Sequence, residues 1–214
     1  MEDTIKCIKE NKIIAIVRGI GSDKIIMTAE ALYAGGIKLI EVTFDQSSAT
    51  GNQDTFEAIK NLSLCLGDKI CVGAGTVMTV EQVELAVKAG AKYIISPNFD
   101  ADVVVKTVGL GVVSIPGVLT PTEITNAYNV GASFVKIFPV DAFGPQYIKS
   151  IRSPVSHIPM LAVGGIDLDN LRLYMDTGIV GVGVGSSLVN KKLISEGRFH
   201  ELTELAKRFC DRLE

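Results

Sequence analysis

The residue with the clearest potential for chemistry is Lys136, a lysine inside the apolar run Ser133–Val140. This run is typical of a short strand that is buried on both faces and ended by Pro139. Side chains alternate along a strand, so Lys136 should share one face with Phe134 and Phe138. Burial disfavours the ammonium form of a lysine, and the free amine that results can attack a carbonyl carbon.

An acidic residue occupies a similar setting, because Glu41 lies within the apolar run Leu39–Phe44. A Schiff-base site needs both an amine and a nearby group that moves protons, so the two residues together predict a site for carbonyl chemistry. Each also has a structural explanation: Lys136 could extend to the end of its strand, or the two side chains could form a buried ion pair.

Other candidate residues follow predicted strands. Arg18 could bind a carboxylate through two parallel hydrogen bonds, although it could also be an ordinary surface arginine. Gly164-Gly165 and Gly185-Ser186 could be plain turns, or they could bind a phosphate through backbone N–H groups and the Ser186 hydroxyl. Their placement after the last two strands favours the phosphate interpretation.

The sequence offers little support for a metal site. The two histidines are far apart and have no second ligand at a suitable spacing, so no metal is expected. The cysteines also lack metal or redox spacing, which predicts reduced thiols in a cytoplasmic protein. These residues are His157, His200, Cys7, Cys65, Cys71 and Cys210.

Composition narrows the class of protein further. The 214 residues are 47% hydrophobic and 21% charged, with a net charge of −3, which is typical of a globular domain with a large core. The slight acidity and the absence of any basic cluster longer than Lys191-Lys192 argue against nucleic acid as a partner. Residues 1–7 contain no apolar signal core, and no stretch is suited to span a bilayer, so no membrane association is expected.

Apolar, β-branched runs alternate with amphipathic stretches along the chain. We predict eight strands: Ile13–Val17, Leu39–Phe44, Ile70–Gly73, Tyr93–Ser96, Val112–Pro116, Phe134–Phe138, Met160–Val163 and Gly181–Val184. We predict eight helices after them: Ser22–Tyr33, Asp54–Leu64, Val80–Lys88, Ala101–Val108, Pro121–Tyr128, Pro145–Ile151, Leu168–Asp176 and Ser195–Arg212.

This alternation predicts an α/β fold with a parallel sheet and right-handed crossovers. Eight units fit a closed (β/α)₈ TIM barrel, and we predict one barrel domain over residues 1–214. The competing architecture is an open, doubly wound sheet, which often has a glycine fingerprint after its first strand. Here that strand is followed by Arg18-Gly-Ile-Gly-Ser22, which lacks the fingerprint. In a barrel, the candidate residues would gather at the C-terminal ends of the strands.

Several short motifs occur in an order that resembles one enzyme family. They are Leu39-Ile-Glu41-Val-Thr-Phe44, Gly73-Ala-Gly-Thr76-Val77, Ile95-Ser-Pro97-Asn98, Ile115-Pro-Gly117, Val135-Lys136-Ile-Phe138-Pro139 and Gly183-Val-Gly-Ser186. Over nearly the whole chain, this set resembles the class I aldolases that cleave 2-keto-3-deoxy-6-phosphogluconate (KDPG), a family that includes 4-hydroxy-2-oxoglutarate (KHG) aldolases. The resemblance implies a (β/α)₈ barrel, commonly a homotrimer, that needs no metal or other cofactor.

The resemblance also implies a role for each candidate residue. Lys136 matches the lysine that forms the Schiff base, and Glu41 matches the general acid/base. The other candidates match residues that bind the substrate: Arg18 near its carboxylate, Thr76, Pro97 and Phe138 around pyruvate, and Gly164, Gly165 and Ser186 around the phosphate. On their own, Thr76 and Pro97 suggest turns and Phe138 suggests a core residue.

The chain departs from the family pattern at two positions that bear on specificity. Some members have an arginine where this chain has Asp45, so Arg18 would have to bind the carboxylate alone. Many have threonine where this chain has Val163. The segments Ala142–Lys149 and Ala162–Gly165 also resemble the branch that acts on 2-keto-3-deoxy-6-phosphogalactonate (KDPGal), which leaves the configuration of the sugar open.

We therefore expect a class I aldolase that releases pyruvate from a phosphorylated 2-keto-3-deoxy sugar acid. Two other functions stay open. A barrel isomerase or epimerase would use Glu41 as a base and Lys136 only for its charge, without a covalent adduct. A ligand-binding barrel would hold a phosphorylated sugar without turnover, with Lys136 and Glu41 as a buried ion pair.

Overall fold

The structure is a computed structural model that describes residues 1–213. Its strands are β1 Ile13–Val17, β2 Leu39–Thr43, β3 Cys71–Gly75, β4 Tyr93–Ile95, β5 Val113–Ile115, β6 Gly117–Val118, β7 Val135–Ile137, β8 Met160–Val163 and β9 Gly181–Val184. Its α-helices are α1 Glu2–Asn11, α2 Ile25–Ala34, α3 Gly51–Leu66, α4 Val80–Ala89, α5 Ala101–Gly109, α6 Pro121–Asn129, α7 Gly144–Arg152, α8 Leu171–Met175, α9 Lys191–Ser195 and α10 Phe199–Asp211.

All strands are parallel and form one sheet in the order β5-β4-β3-β2-β1-β9-β8-β7-β6. The two strands at the ends of this order, β5 and β6, are separated in the chain only by Pro116. The sheet therefore curls into a nearly closed barrel with helices between its strands. This confirms the predicted α/β barrel and excludes the open, doubly wound sheet.

The sequence analysis predicted one strand at Val112–Pro116, whereas the structure has the two short strands β5 and β6 there. Proline has no N–H group to donate to a neighbouring strand, which explains the interruption. The Pro116 carbonyl still accepts a hydrogen bond from the Lys136 N–H (2.9 Å), so the barrel wall continues across the break.

The other differences are at helix boundaries. The predicted helix Ser195–Arg212 is shorter in the structure, where α9 ends at Ser195 and α10 begins at Phe199. Gly197 lies between them with φ +72°, a left-handed conformation that ends a helix. The sequence analysis predicted no element at residues 2–11, which form α1.

The barrel has an inner and an outer layer of apolar side chains. Residues that point outward from the strands pack under the helices in one large core. Residues that point inward form a smaller cluster, which α1 covers with the fully buried Ile8. The cluster contains Ile8, Ile14, Leu39, Tyr93, Ile95, Val113, Ile115, Phe134 and Leu161. The interior of the barrel is therefore filled at its N-terminal end, and its C-terminal end is where a ligand-binding cavity is expected in this fold.

Within residues 1–213, no helix has both the length and the apolar composition needed to cross a membrane.

Candidate active site

Lys136 lies in β7 with its side chain inside the barrel and is only 6% exposed. The strand alternates as predicted: Val135 and Ile137 belong to the outer core, whereas Phe134 belongs to the inner cluster. The Lys136 Nζ atom lies 4.6 Å from the centre of the Phe138 ring. The aromatic face stabilises the cationic form of the amine to a modest degree at a position that water hardly reaches.

Glu41 lies in β2 and is 2% exposed. The inward positions of the adjacent strand β3 are glycines, Gly73 and Gly75, which leave room inside the barrel. The ring of Tyr93 fills the space over Gly73. The Tyr93 ring therefore fills the barrel interior beside Glu41, and Glu41 faces the same cavity as Lys136.

Burial dominates the electrostatics of both groups. It raises the pKa of Glu41, while the charges of Lys136 and Arg18 act against that rise. Burial also lowers the pKa of Lys136; Glu41 opposes this shift and Arg18 adds to it. Both shifts favour the uncharged forms, a free amine and a protonated carboxyl, which are the forms that begin imine chemistry.

No carboxylate of residues 1–213 forms a salt bridge with Lys136. This observation disfavours the interpretation in which Lys136 and Glu41 serve only as a structural ion pair, because such a pair would be in direct contact. A buried lysine without a salt bridge is costly, so its retention inside the barrel favours a chemical role.

A cavity of about 520 Å³ opens at the C-terminal ends of the strands. All nine residues singled out by the sequence line it: Arg18, Glu41, Thr76, Pro97, Lys136, Phe138, Gly164, Gly165 and Ser186. Gly185 and Val163, which the sequence analysis also named, line the cavity as well. It missed five further lining residues: Ile16, Ile166, Asp167, Gly183 and Ser187. Strand alternation could have found Ile16, since it lies two residues before Arg18 on the same strand face.

At one side of the cavity, Arg18 and Thr76 are in contact. The Arg18 Nη2 atom donates a hydrogen bond to Thr76 Oγ1 (3.3 Å), and Gln46 Nε2 donates one to the Thr76 carbonyl (2.7 Å). Thr76 has φ 55°, a left-handed conformation that is unfavourable for a β-branched residue. The surrounding hydrogen bonds hold this conformation, and such held strain is common at functional sites.

After β8, Gly164 (φ +113°) and Gly165 (φ +64°) form a turn that requires glycine. A Cβ added at Gly165 would lie 2.5 Å from Asp141 Cβ, so the space is also closed to a side chain. The turn leaves backbone exposed to the cavity near Ser186. Exposed glycine backbone beside a hydroxyl can bind an anionic group.

A second cavity of about 520 Å³ lies between the ends of β1 and β2 and the start of α3. Its ionisable lining residues are the carboxylates Asp45, Asp54 and Glu57. It contains no amine and no fully buried ionisable group, so it offers no comparable chemistry.

The structure also brings together two thiols that are distant in sequence, Cys7 of α1 and Cys71 of β3, at the opposite end of the barrel. A hydrogen bond from Cys71 lowers the pKa of Cys7 to about 7. Asn11 Nδ2 donates a further hydrogen bond to Cys7 Sγ (3.4 Å). No spacing rule could have predicted this pair, because it arises from the docking of α1 on the barrel.

The part of the chain that the structure describes, residues 1–213, offers no cluster of metal-binding side chains. Those residues contain no group of three or more His, Cys, Asp or Glu side chains that could hold a metal ion.

Comparisons with known proteins agree with this geometry. Residues 4–205 match the family model described as KDPG and KHG aldolase. The chain is 37% identical to the 2-dehydro-3-deoxy-6-phosphogalactonate aldolase of Escherichia coli (82% of this chain, 83% of that protein). It is 38% identical to the 2-dehydro-3-deoxy-phosphogluconate aldolase of Treponema pallidum (84% and 83%).

A similar solved structure is the KDPG aldolase of Legionella pneumophila, described with pyruvate captured as a covalent carbinolamine intermediate. It has a TM-score of 0.83 and 28% identity, over 92% of this chain and 93% of that one. The barrel fold, the cavity and the similar proteins all support the same assignment. The chain belongs to the KDPG and KHG aldolase family, and it is an aldolase, a lyase that cleaves a carbon–carbon bond.

Proposed function

We propose that this protein is a class I aldolase in which Lys136 forms the Schiff base and Glu41 moves the protons. The substrate is a 2-keto-3-deoxy-6-phospho sugar acid, and the products are pyruvate and glyceraldehyde 3-phosphate. One observation carries the proposal: a buried lysine without a salt bridge shares a cavity with a buried carboxyl group.

The reaction begins when the Lys136 amine attacks the C2 ketone of the substrate. Glu41 donates a proton to the oxygen of the carbinolamine, which leaves as water, and a protonated imine forms. The lowered pKa of Lys136 supplies the free amine, and the raised pKa of Glu41 supplies the proton.

The protonated imine then accepts the electrons of the C3–C4 bond. Glu41, now a carboxylate, removes the proton of the C4 hydroxyl, directly or through a water molecule. The bond breaks, and C4 leaves as the aldehyde carbon of glyceraldehyde 3-phosphate. Glu41 returns a proton to C3 of the enamine, and hydrolysis of the imine releases pyruvate and restores Lys136.

The remaining residues bind the substrate around this centre. We assign Arg18 to the C1 carboxylate and the turn Gly164-Gly165, with Ser186, to the phosphate. Thr76, Pro97 and Phe138 enclose the pyruvate part. The support is that all of them line one cavity with Lys136 and Glu41. No metal or other cofactor takes part in this mechanism.

The configuration at C4 separates two candidate substrates, KDPG and KDPGal. Relatives named for each are similar to this chain to nearly the same degree. Val163 favours neither by hydrogen bonding, because it presents only methyl groups to the cavity. KHG, which would yield pyruvate and glyoxylate, is a further substrate to test. Turnover of the three compounds, compared as kcat/KM, identifies the preferred one.

Borohydride reduction in the presence of pyruvate tests the mechanism. We expect a reduced pyruvate adduct on Lys136, located by peptide mass spectrometry, and none in Lys136→Ala. The exposed Lys149 of α7 is the matched control, and Lys149→Ala should form the adduct like the wild type. A folded wild type without an adduct would favour the isomerase or the binding barrel, and turnover of the phosphorylated substrates would separate those two.

We further propose that residues 1–214 act as one catalytic domain, that the protein assembles as a homotrimer and that it is cytoplasmic. Exposed apolar side chains on neighbouring helices, Leu64, Val80 and Val105, are of the kind that subunit interfaces cover. Analytical ultracentrifugation tests the trimer, since a monomeric mass at micromolar concentration would contradict it. Cell fractionation tests the location.

A further inference from the structure

Two basic and two acidic residues line the main cavity. Its charged lining residues are Arg18, Glu41, Lys136 and Asp167. The proposed function commits Lys136 to the imine and Arg18 to the carboxylate. A phosphate at the glycine turn beside Ser186 would then have no cation from the main cavity, and the carboxylate of Asp167 lines the same space. A further positive charge near this position would strengthen the binding of a phosphate dianion.

A side chamber of about 310 Å³ contains such a positive charge. It shares Ile16, Arg18, Gly185 and Ser186 with the main cavity, so the two spaces are continuous around Ser186. The one charged residue that it adds is Lys191, the first residue of α9. Lys191 follows Ser186 closely in the chain, and the tight turn between them returns Lys191 to the chamber wall.

The ammonium group of Lys191 lies against the backbone that follows Arg18. A Cβ added at Gly19 would lie 3.3 Å from Lys191 Nζ, and Gly19 has φ +63°. Arg18 and Lys191 thus both line the side chamber, and neither forms a salt bridge within residues 1–213. Asp45, whose charge interacts with that of Arg18, lines neither of these two cavities and accepts hydrogen bonds from the N–H (2.9 Å) and the hydroxyl (2.6 Å) of Ser47. The two basic side chains therefore make the side chamber suitable for an anionic ligand.

We infer that Lys191 binds the phosphate group of the substrate together with Ser186 and thereby selects phosphorylated over unphosphorylated substrates. This inference rests on the proposed function and adds a specificity residue to it. A lysine suits the task because its long, flexible side chain brings a compact charge to a phosphate that enters and leaves with each turnover.

The test compares KDPG with the same sugar acid without phosphate. The variants are Lys191→Ala, Lys191→Arg and, as the matched control, Lys192→Ala, which removes the adjacent exposed lysine that lines neither cavity. We expect Lys191→Ala to lower the preference for the phosphorylated compound, measured as the ratio of kcat/KM values, about fivefold. The change should reside in KM. Lys191→Arg should restore most of the preference, and Lys192→Ala should keep it.

The outcomes separate this inference from the proposed function. An unchanged ratio in Lys191→Ala, or an equal fall in Lys192→Ala, overturns the role of Lys191 while the aldolase stands. A wild type that forms the pyruvate adduct but does not prefer the phosphorylated compound overturns both the phosphorylated substrate and the role of Lys191. Inorganic phosphate is an independent probe: it should inhibit the wild type competitively and inhibit Lys191→Ala more weakly.

Discussion

Gly75 leaves open the space that the carboxyl group of Glu41 occupies, since a Cβ added at Gly75 would overlap Glu41 Oε1. The two residues belong to adjacent strands, β2 and β3, whose inward positions meet inside the barrel. Because Gly75 has no side chain, the carboxyl group of Glu41 can occupy the space inside the barrel next to β3.

Gly75→Ala should therefore displace Glu41 while the barrel stays folded. We expect kcat to fall about 100-fold, because a shift of the reacting group by about 1 Å costs that much. Circular dichroism and steady-state kinetics are the measurements. Gly109→Ala is the matched control, since a Cβ there would meet nothing within 4 Å, and its activity should equal that of the wild type. Full activity in Gly75→Ala would show that Glu41 can act from another position.

Glu41→Gln should slow both imine formation and bond cleavage. The amide neither donates nor accepts the transferred proton, and general acid–base catalysis is worth about 100- to 10,000-fold in rate. Stopped-flow kinetics with pyruvate reports imine formation, and single-turnover cleavage reports the second step. Rates equal to those of the wild type would remove Glu41 from the mechanism.

The free energy of unfolding should depend on pH because the buried carboxyl group of Glu41 has a raised pKa. Its pKa is raised above the ordinary value of 4.5, so the folded state holds its proton longer than the unfolded chain does. The stability that Glu41 contributes is thus fully present below about pH 4.5 and is lost as the pH rises through the folded-state pKa. Lys136 would complicate this measurement, because it also titrates.

The comparison is therefore made between Lys136→Met and the double variant Lys136→Met/Glu41→Gln, by urea unfolding from pH 4.5 to 8. We expect the free energy of unfolding of the single variant to fall relative to that of the double variant as the pH rises. Parallel curves for the two proteins would contradict a raised pKa.

Val163 gives a prediction about the sugar configuration. Val163→Thr adds a hydroxyl group to the wall of the cavity while keeping nearly the same shape. If that group reaches the C4 or C5 hydroxyl of one substrate, the ratio of kcat/KM for KDPG to that for KDPGal should change about three- to tenfold, the value of one hydrogen bond. Val163→Ala, which adds no polar group, is the control. An equal change in both variants would mean that shape alone acts here.

Cys7 should be the most reactive thiol near neutral pH. Its pKa is lowered to about 7, chiefly by the hydrogen bond from Cys71, so more of it is thiolate near neutral pH than of an ordinary cysteine. Cys71→Ala removes this donor and should raise the pKa of Cys7, which slows alkylation at pH 7. Iodoacetamide labelling followed by peptide mass spectrometry measures the rate, with the exposed Cys65 as the reference thiol. An unchanged rate in Cys71→Ala would contradict the hydrogen bond.

The sequence by itself determined the barrel and its reactive end. Local patterns carry this information, because strict alternation of strand and helix leaves few topologies, and side-chain alternation within one strand places Lys136 inside. The resemblance to a family then added Thr76, Pro97 and Phe138, whose types alone suggested only turns and core.

Other features were decided by contacts between residues far apart in the chain. The way in which distant segments dock determines four features. They are the break in the strand at Pro116, the packing of α1 on the N-terminal end of the barrel, the contact between Cys7 and Cys71, and the position of Lys191 beside Gly19. Sequence periodicity describes one element at a time, whereas these contacts depend on the distances between elements. Only the tertiary structure could therefore show that Gly75 makes room for Glu41, and that Lys191 of α9 lines a chamber beside Ser186.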